Sequence, residues 1–343
     1  INTAKLVATL INDNSDTVFE FGTHVCISDK VGDKVLVSGS DYTEHNGNVG
    51  VVYGYNYNYV EDTWINDFEL IFDNPEGDSH VIDISTNSDR TTIVATVLYI
   101  NDETSDVRCC IHTYDLNDDN KWIERNVITP HDLNDFIASA SLNSNGDMLV
   151  IAYKNIKKVY VCNRSADYCG WVKNEQLNIN NISDNLIVRS VTVSGNGKTI
   201  AVGASNKDIE NNTYIGKTYI YEYNTDKKSW MYKTTIISKD SHNNAISIDY
   251  SGNTIAIGSS LKNKLVQNIG EVSIYNRDTV NNKWIEVINL SSVDSVTNDF
   301  YGSSLDINDA GNKLIVSAFN KNTGVFNKTG KVYIYDLINN TGH

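Results

Sequence analysis

Basic charge, proline, methionine and arginine are all scarce in this chain of 343 residues. Lys and Arg total 28 against 43 Asp and Glu, which leaves a net charge of −15. That deficit excludes nucleic acid as a partner held through its phosphates. No apolar run approaches the roughly 20 residues of a membrane helix, so no helical membrane span is expected. The six arginines are Arg90, Arg108, Arg125, Arg164, Arg189 and Arg277. Only Arg189 falls on a predicted innermost strand, too few for the multi-arginine carboxylate clamp of a sialidase-like site. Neither G-x-S-x-G nor H-E-x-x-H occurs. The five cysteines, Cys26, Cys109, Cys110, Cys162 and Cys169, fit no paired C-x-x-C zinc spacing. What remains is 40% hydrophobic, enough for a packed core, with 46 Asn and 20 Tyr.

The five tryptophans mark a long repeat. Trp64, Trp122, Trp171, Trp230 and Trp284 lie 49 to 59 residues apart, and each opens a similar segment after a polar turn. Three further runs recur in order before each Trp segment. The first alternates and ends in a turn, as in RSVTVSGNG and AISIDYSG. The second is continuously apolar, as in TIAVGAS and KLIVSAF. The third is typified by GKTYIYEY and GKVYIYDL. All are short, β-branched or aromatic, and bounded by Gly, Asn, Asp and Ser, so they read as strands. Gly146, Gly197, Gly252 and Gly311 sit where a hairpin needs positive φ. No segment keeps a helical period over ten residues.

Four antiparallel strands repeated radially predict an all-β fold, a six-bladed β-propeller forming one domain over 1–343. The blades fall at 19–72, 79–130, 135–180, 186–238, 243–292 and 299–343. The Trp strand is missing from the sixth. Residues 1–18 are therefore expected to supply its fourth strand and a linker, with Lys5 or a neighbour in the Trp place. Each Trp is expected to pack between blades. Tyr53, Tyr55, Tyr57 and Tyr59 alternate along one strand face and are expected to pack on the next blade.

Phe21-Gly22 and Tyr301-Gly302 open the first and last blades. With the runs GDKVLVSGS and GNKLIVSAF that follow, they resemble the FG-GAP repeat of integrin-type propellers. Blades two to five depart from it, with Phe136-Ile137 and Ile187-Val188 in the FG place. The resemblance implies an extracellular adhesion, scaffold or recognition protein. Its calcium loops of D-x-D-x-D-G form are not matched here, where LNSNGD and INDAGN stand. Integrin-type rings have seven blades; six are counted here.

Candidate sites follow from the loops that enter each innermost strand. Asp78, His80, His131, Asp135, Asp184, Asp240, His242 and Asp299 are placed on one rim of the channel, as a ligand or cation site or as turn-forming residues. No cofactor is required; calcium is the cation such a rim would suit. The chain begins at Ile1, read as a removed secretory segment or a trimmed end. Secretion, on a cell or virion surface, makes a Cys162–Cys169 bridge across a hairpin turn the expected disulfide. It also makes Asn163, Asn211, Asn327 and Asn339 the glycosylation candidates. The expected function is a non-catalytic binding or scaffold propeller, meeting a protein or glycan partner through its loops. It would serve adhesion or assembly with other subunits, a fibre or a virus particle. The alternative is a carbohydrate-active or other hydrolytic enzyme using rim carboxylates.

Overall fold

The computed structural model describes residues 3–11, 18–28, 31–43, 47–130, 136–154, 158–167, 170–179, 187–208, 213–239, 245–261, 268–294, 296–321 and 329–338. Every regular element among them is a strand. Six antiparallel sheets form the blades of one propeller.

Blade one comprises β2 (Val18–Phe19), β3 (Val25–Ser28), β4 (Lys34–Thr43), β5 (Gly47–Asn58) and β6 (Thr63–Phe72). Its innermost strand is split, because β2 and β3 both pair with β4. Blade two runs β7 (Ser79–Thr86), β8 (Thr92–Ile100), β9 (Val107–Leu116), β10 (Trp122–Ile128). Blade three runs β11 (Ile137–Leu142), β12 (Met148–Tyr153), β13 (Lys158–Arg164), β14 (Trp171–Gln176). Blade four runs β15 (Ile187–Val193), β16 (Thr199–Asp208), β17 (Thr213–Asn224), β18 (Ser229–Lys239). Blade five runs β19 (Ala245–Ile248), β20 (Thr254–Gly258), β21 (Val272–Asp278), β22 (Lys283–Leu290). Blade six has β23 (Leu305–Ile307), β24 (Lys313–Ala318) and β25 (Lys331–Ile338). Its outer strand is β1 (Thr3–Leu10), paired from Thr3 opposite Ile338 to Leu10 opposite Val332. The expected closure of the ring by the N-terminal strand is therefore present. In the other blades Trp faces the last residues of the third strand, as Trp284 faces Arg277. In blade six that place is taken by Ala4, opposite Leu337.

The core lies between blades. One apolar cluster joins Val25, Val37 and Tyr53 of blade one to Ile315, Val332 and Ile334 of blade six. Another joins Val150 and Val161 of blade three to Val202 and Tyr219 of blade four. The tryptophans sit in these layers. Trp122 lies 5.0 Å from Phe68 of blade one, and Trp171 Nε1 donates to Thr113 Oγ1 of blade two at 3.1 Å. Of the tyrosine series, Tyr53 and Tyr55 pack on Phe21, while Tyr57 turns to Trp64 and Tyr59 is exposed.

Scarce arginine serves as the tie between blades. Arg90 is buried, donating to Tyr55 O at 2.9 Å and pairing with Asp67 at 2.8 Å. Arg164 pairs with Asp115, and Arg277 pairs with Glu222 at 2.6 Å. A planar fork fixed by two acceptors suits such joints better than lysine.

The FG dipeptides acquire a physical role at two of these joints. Phe21 and Tyr301 are fully buried, and Gly22 and Gly302 have φ of 88° and 80°. Each bend rests on a glycine of the preceding blade. A Cβ on Gly330 would stand 1.7 Å from Phe21 O, and one on Gly270 would stand 1.8 Å from Tyr301 O. Gly330→Ala is expected to cost roughly 3 kcal/mol, combining a left-handed φ with a backbone collision. A thermal melt checks this; an unchanged midpoint would contradict the close seat.

Candidate functional site

The innermost strands are sheet edges, and edge N–H groups need partners. Each blade lends side-chain oxygens to the next. Val25 N donates to Ser304 Oγ at 3.0 Å, and Val191 N to Ser139 Oγ at 3.2 Å. Leu142 N donates to Ser85 Oγ at 2.9 Å, and Ile307 N to Ser247 Oγ at 3.0 Å. Serine is the usual acceptor in this register. In two places it is aspartate: Ala140 N donates to Asp83 Oδ2 at 2.8 Å, and Ile27 N to Asp306 Oδ2 at 2.9 Å. These rows line a polar well on the propeller axis, holding cavities of about 90 and 50 Å³.

The well narrows at the turns after the innermost strands, which bond to one another around the axis. Ser144 N donates to Gly195 O at 3.2 Å and Tyr250 N to Asp309 O at 3.2 Å. Ser144 Oγ donates across to Asp309 Oδ1 at 2.5 Å. In the opposite direction the well meets the residues at bulges in the innermost strands. Blades two and three place Ile82 and Ala138 there, and blade four places Arg189, between Val188 and Ser190. Arg189 Nε donates to Ser205 Oγ at 3.2 Å.

The electrostatics are set by burial. Burial raises the Asp83 carboxyl to about 7, against the pull of the Ala140 N–H, and nearby Asp306 adds a smaller push. Burial likewise raises Asp306 to about 6, although Ser247, Ile27 and Cys26 all donate to it. Cys26 Sγ donates to Asp306 Oδ2 at 3.1 Å, and burial lifts that thiol well above its ordinary value. His24 is lowered to about 4 by burial, so its ring is neutral; its Nδ1 is buried with no hydrogen-bond partner among the described residues. A carboxyl titrating near neutrality, a neutral imidazole and a guanidinium are groups suited to moving a proton and holding an oxyanion.

These are not the residues chosen from the loops. Asp78 stitches blade one to blade two, accepting from Asn48 N at 2.8 Å. Asp299 is buried and paired with Lys321 Nζ at 2.7 Å. His80 is half-buried on β7 and does not line the well. His131, Asp135, Asp184, Asp240 and His242 lie outside the described residues. Among the described residues no group of three His, Cys, Asp or Glu gathers as a metal site. The expected Cys162–Cys169 bridge is corrected. Cys162 is a free thiol buried in the apolar layer between blades two and three; Cys169 lies outside the described residues. Asn163 is exposed on β13, whereas Asn211, Asn327 and Asn339 fall outside the described residues. Among the described residues no helix is long and apolar enough to cross a membrane.

Asp83 and Asp306 had a signal in the sequence. Aligning the inner strands puts each in a row otherwise filled mainly by Ser. Within one strand such an Asp reads as ordinary polar alternation.

No family model and no curated protein matches the sequence. Solved structures do resemble the ring. A protein provisionally named 6-phosphogluconolactonase from Bacteroides uniformis superposes with a TM-score of 0.54 at 10% identity, over 91% of this chain and 79% of that one. A second protein so named, from Bacteroides fragilis, gives 0.52 at 13% identity, over 86% and 76%. The Cps50 (Swd1) β-propeller domain of Myceliophteria thermophila gives 0.53 at 11% identity, over 98% and 100%. At such identities the likeness establishes the fold. It also corrects the expectation of a non-catalytic scaffold and of a chain without enzymatic activity. Rings of this backbone include proteins named as lactonases, so the hydrolytic alternative is the reading carried forward.

Proposed function

We propose that this chain is a hydrolase that opens small cyclic esters of sugar acids at the mouth of the axial well. The observation that carries this reading is Asp83, a carboxyl raised to about 7 in a polar well beside neutral His24. A carboxylate near neutrality is a general base matched to its working pH. The cavity of about 90 Å³ has room for water, so the ester itself rests at the mouth, beside Arg189. Asp83 takes a proton from a water molecule as its oxygen attacks the ester carbonyl. The Arg189 guanidinium holds the negative oxygen that forms. The ring C–O bond then breaks, and its oxygen takes the proton back from Asp83. The product is the open hydroxy acid, with water consumed and Asp83 restored.

The names of the two lactonase-like neighbours support this choice of substrate. The FG-GAP resemblance is a separate proposal about descent, supported by the shared seat of Phe21-Gly22 and Tyr301-Gly302. The test is hydrolysis of δ-gluconolactone and its 6-phosphate, followed by acid release above the spontaneous rate. Asp83→Asn, which keeps an oxygen for Ala140 N, is expected to lower turnover at least about 100-fold with the melting temperature retained. Turnover equal to the uncatalysed rate in the unaltered chain, or an active Asp83→Asn, would sink the proposal.

A further inference from the structure

Two larger cavities lie away from the well, where loops 73–78 and 101–106 meet at the end of blade two. Their volumes are about 490 and 380 Å³, the size of small-ligand clefts. Both are lined by Glu76 and Asn101, and Asn101 Nδ2 donates to Glu76 Oε2 at 3.2 Å. The two clefts adjoin across this pair as lobes of one surface depression; both are acidic in part, and only the larger holds a basic residue. The larger holds Arg108 with an apolar wall of Tyr99, Ile100 and Phe136; Asp106 also borders it. The smaller holds Glu76, Asp102 and Glu103 and no basic residue.

Arg108 differs from four of the other arginines. Arg90, Arg125, Arg164 and Arg277 each pair with a carboxylate. Arg108 is exposed and makes no ion pair within 4.0 Å among the described residues. Its guanidinium rests over the Tyr99 ring, 5.0 Å from the centroid. That ring is pinned. The Tyr99 hydroxyl bonds His112 Nε2 at 2.9 Å, and His112 Nδ1 bonds Glu124 Oε1 at 2.6 Å. A guanidinium stacked on a fixed ring is pre-oriented for a carboxylate. A simple anion can pair with Arg108 but finds only carboxylates in the smaller lobe, and a simple cation suits the smaller lobe but leaves Arg108 unmatched. A molecule with both charges, separated by an apolar body, satisfies the two ends.

We propose that this groove binds short zwitterionic peptides. The C-terminal carboxylate pairs with Arg108, the side chains lie on Tyr99 and Phe136, and the terminal ammonium sits among Glu76, Asp102 and Glu103. The site is independent of the well and of the hydrolytic reading. Calorimetry on the full chain tests it with tri-alanine, tri-alanine amide and N-acetyl-tri-alanine. Tri-alanine is expected to bind, and each blocked form to bind about tenfold more weakly. Arg108→Gln is expected to bring tri-alanine down to the affinity of the amide and to leave the amide unchanged. Failure of tri-alanine to bind at millimolar concentration overturns the proposal. Equal affinity for tri-alanine and its amide, or an Arg108→Gln protein that still prefers the free carboxylate, does the same. Circular dichroism establishes that Arg108→Gln is folded; if it is not, the comparison of free and blocked peptides decides.

Discussion

Removal of residues 1–10 is expected to lower the stability of the ring by about 5 kcal/mol or more, on the scale of a whole domain's margin. The strand lost is β1, which pairs with β25 along its length. Its inward residues Ala4, Leu6 and Ala8 pack on two interblade layers, and Leu10 is buried. Without it, β25 becomes an open edge over Val332, Tyr333, Ile334 and Tyr335, all now buried. The apolar area returned to water and the lost ladder act in the same direction. The measurement is a chemical or thermal melt of the shortened chain. A synthetic peptide of residues 1–11 added in trans is expected to restore the midpoint by strand addition. A shortened chain with an unshifted midpoint would show that blade six holds with three strands.

The second large effect is on pH dependence. Asp83 at about 7 and Asp306 at about 6 both stand above the ordinary 3.8 of an aspartate. Between those values the folded state holds protons that the unfolded state has released. Stability from these two groups is therefore full at low pH and falls as pH rises from about 4 to about 7. His24 opposes them. Lowered to about 4 from 6.5, it contributes stability that is present above 6.5 and lost as pH falls toward 4. Two carboxylates outweigh one imidazole, so the unaltered chain is expected to lose stability on going from pH 4 to pH 7. The polar side chains lining the well offset part of this, leaving a net change of roughly 2–3 kcal/mol. Urea titrations at pH 4, 5.5 and 7 read it directly. Asp83→Asn should flatten the profile, and the double variant with Asp306→Asn should reverse its slope. A profile unaffected by either substitution would place both carboxyls in contact with bulk water.

The blades were readable because a strand writes itself locally. Alternation, β-branched runs and the glycines at 146, 197, 252 and 311 concern neighbours within one hairpin, and all four glycines take positive φ. The tryptophans were readable as interblade residues because bulk and periodicity suffice to place them. The well was not. Asp83 and Asp306 acquire meaning only against the serines at the same height in other blades, a relation carried by the ring and not by any one segment. Asp78 and Asp299 misled for the converse reason: a loop aspartate is chosen as readily for a structural tie, across two blades at Asp78 and within blade six at Asp299, as to meet a ligand. Cys162 misled because hairpin spacing says two residues are near, not which way a side chain points.

The placement of apolar clusters has a consequence for how the ring comes apart. Because each layer belongs to two neighbours, the cooperative unit is the joint and not the blade. Loosening any interior blade disrupts two joints at once. The seam of blade six also touches two joints, but it is the easiest to open, since β1 can leave by breaking one ladder while β23, β24 and β25 stay paired. Amide exchange in β1 and β25 is therefore expected to run ahead of that in β16 and β17, with opening spreading from the seam in both directions around the circle.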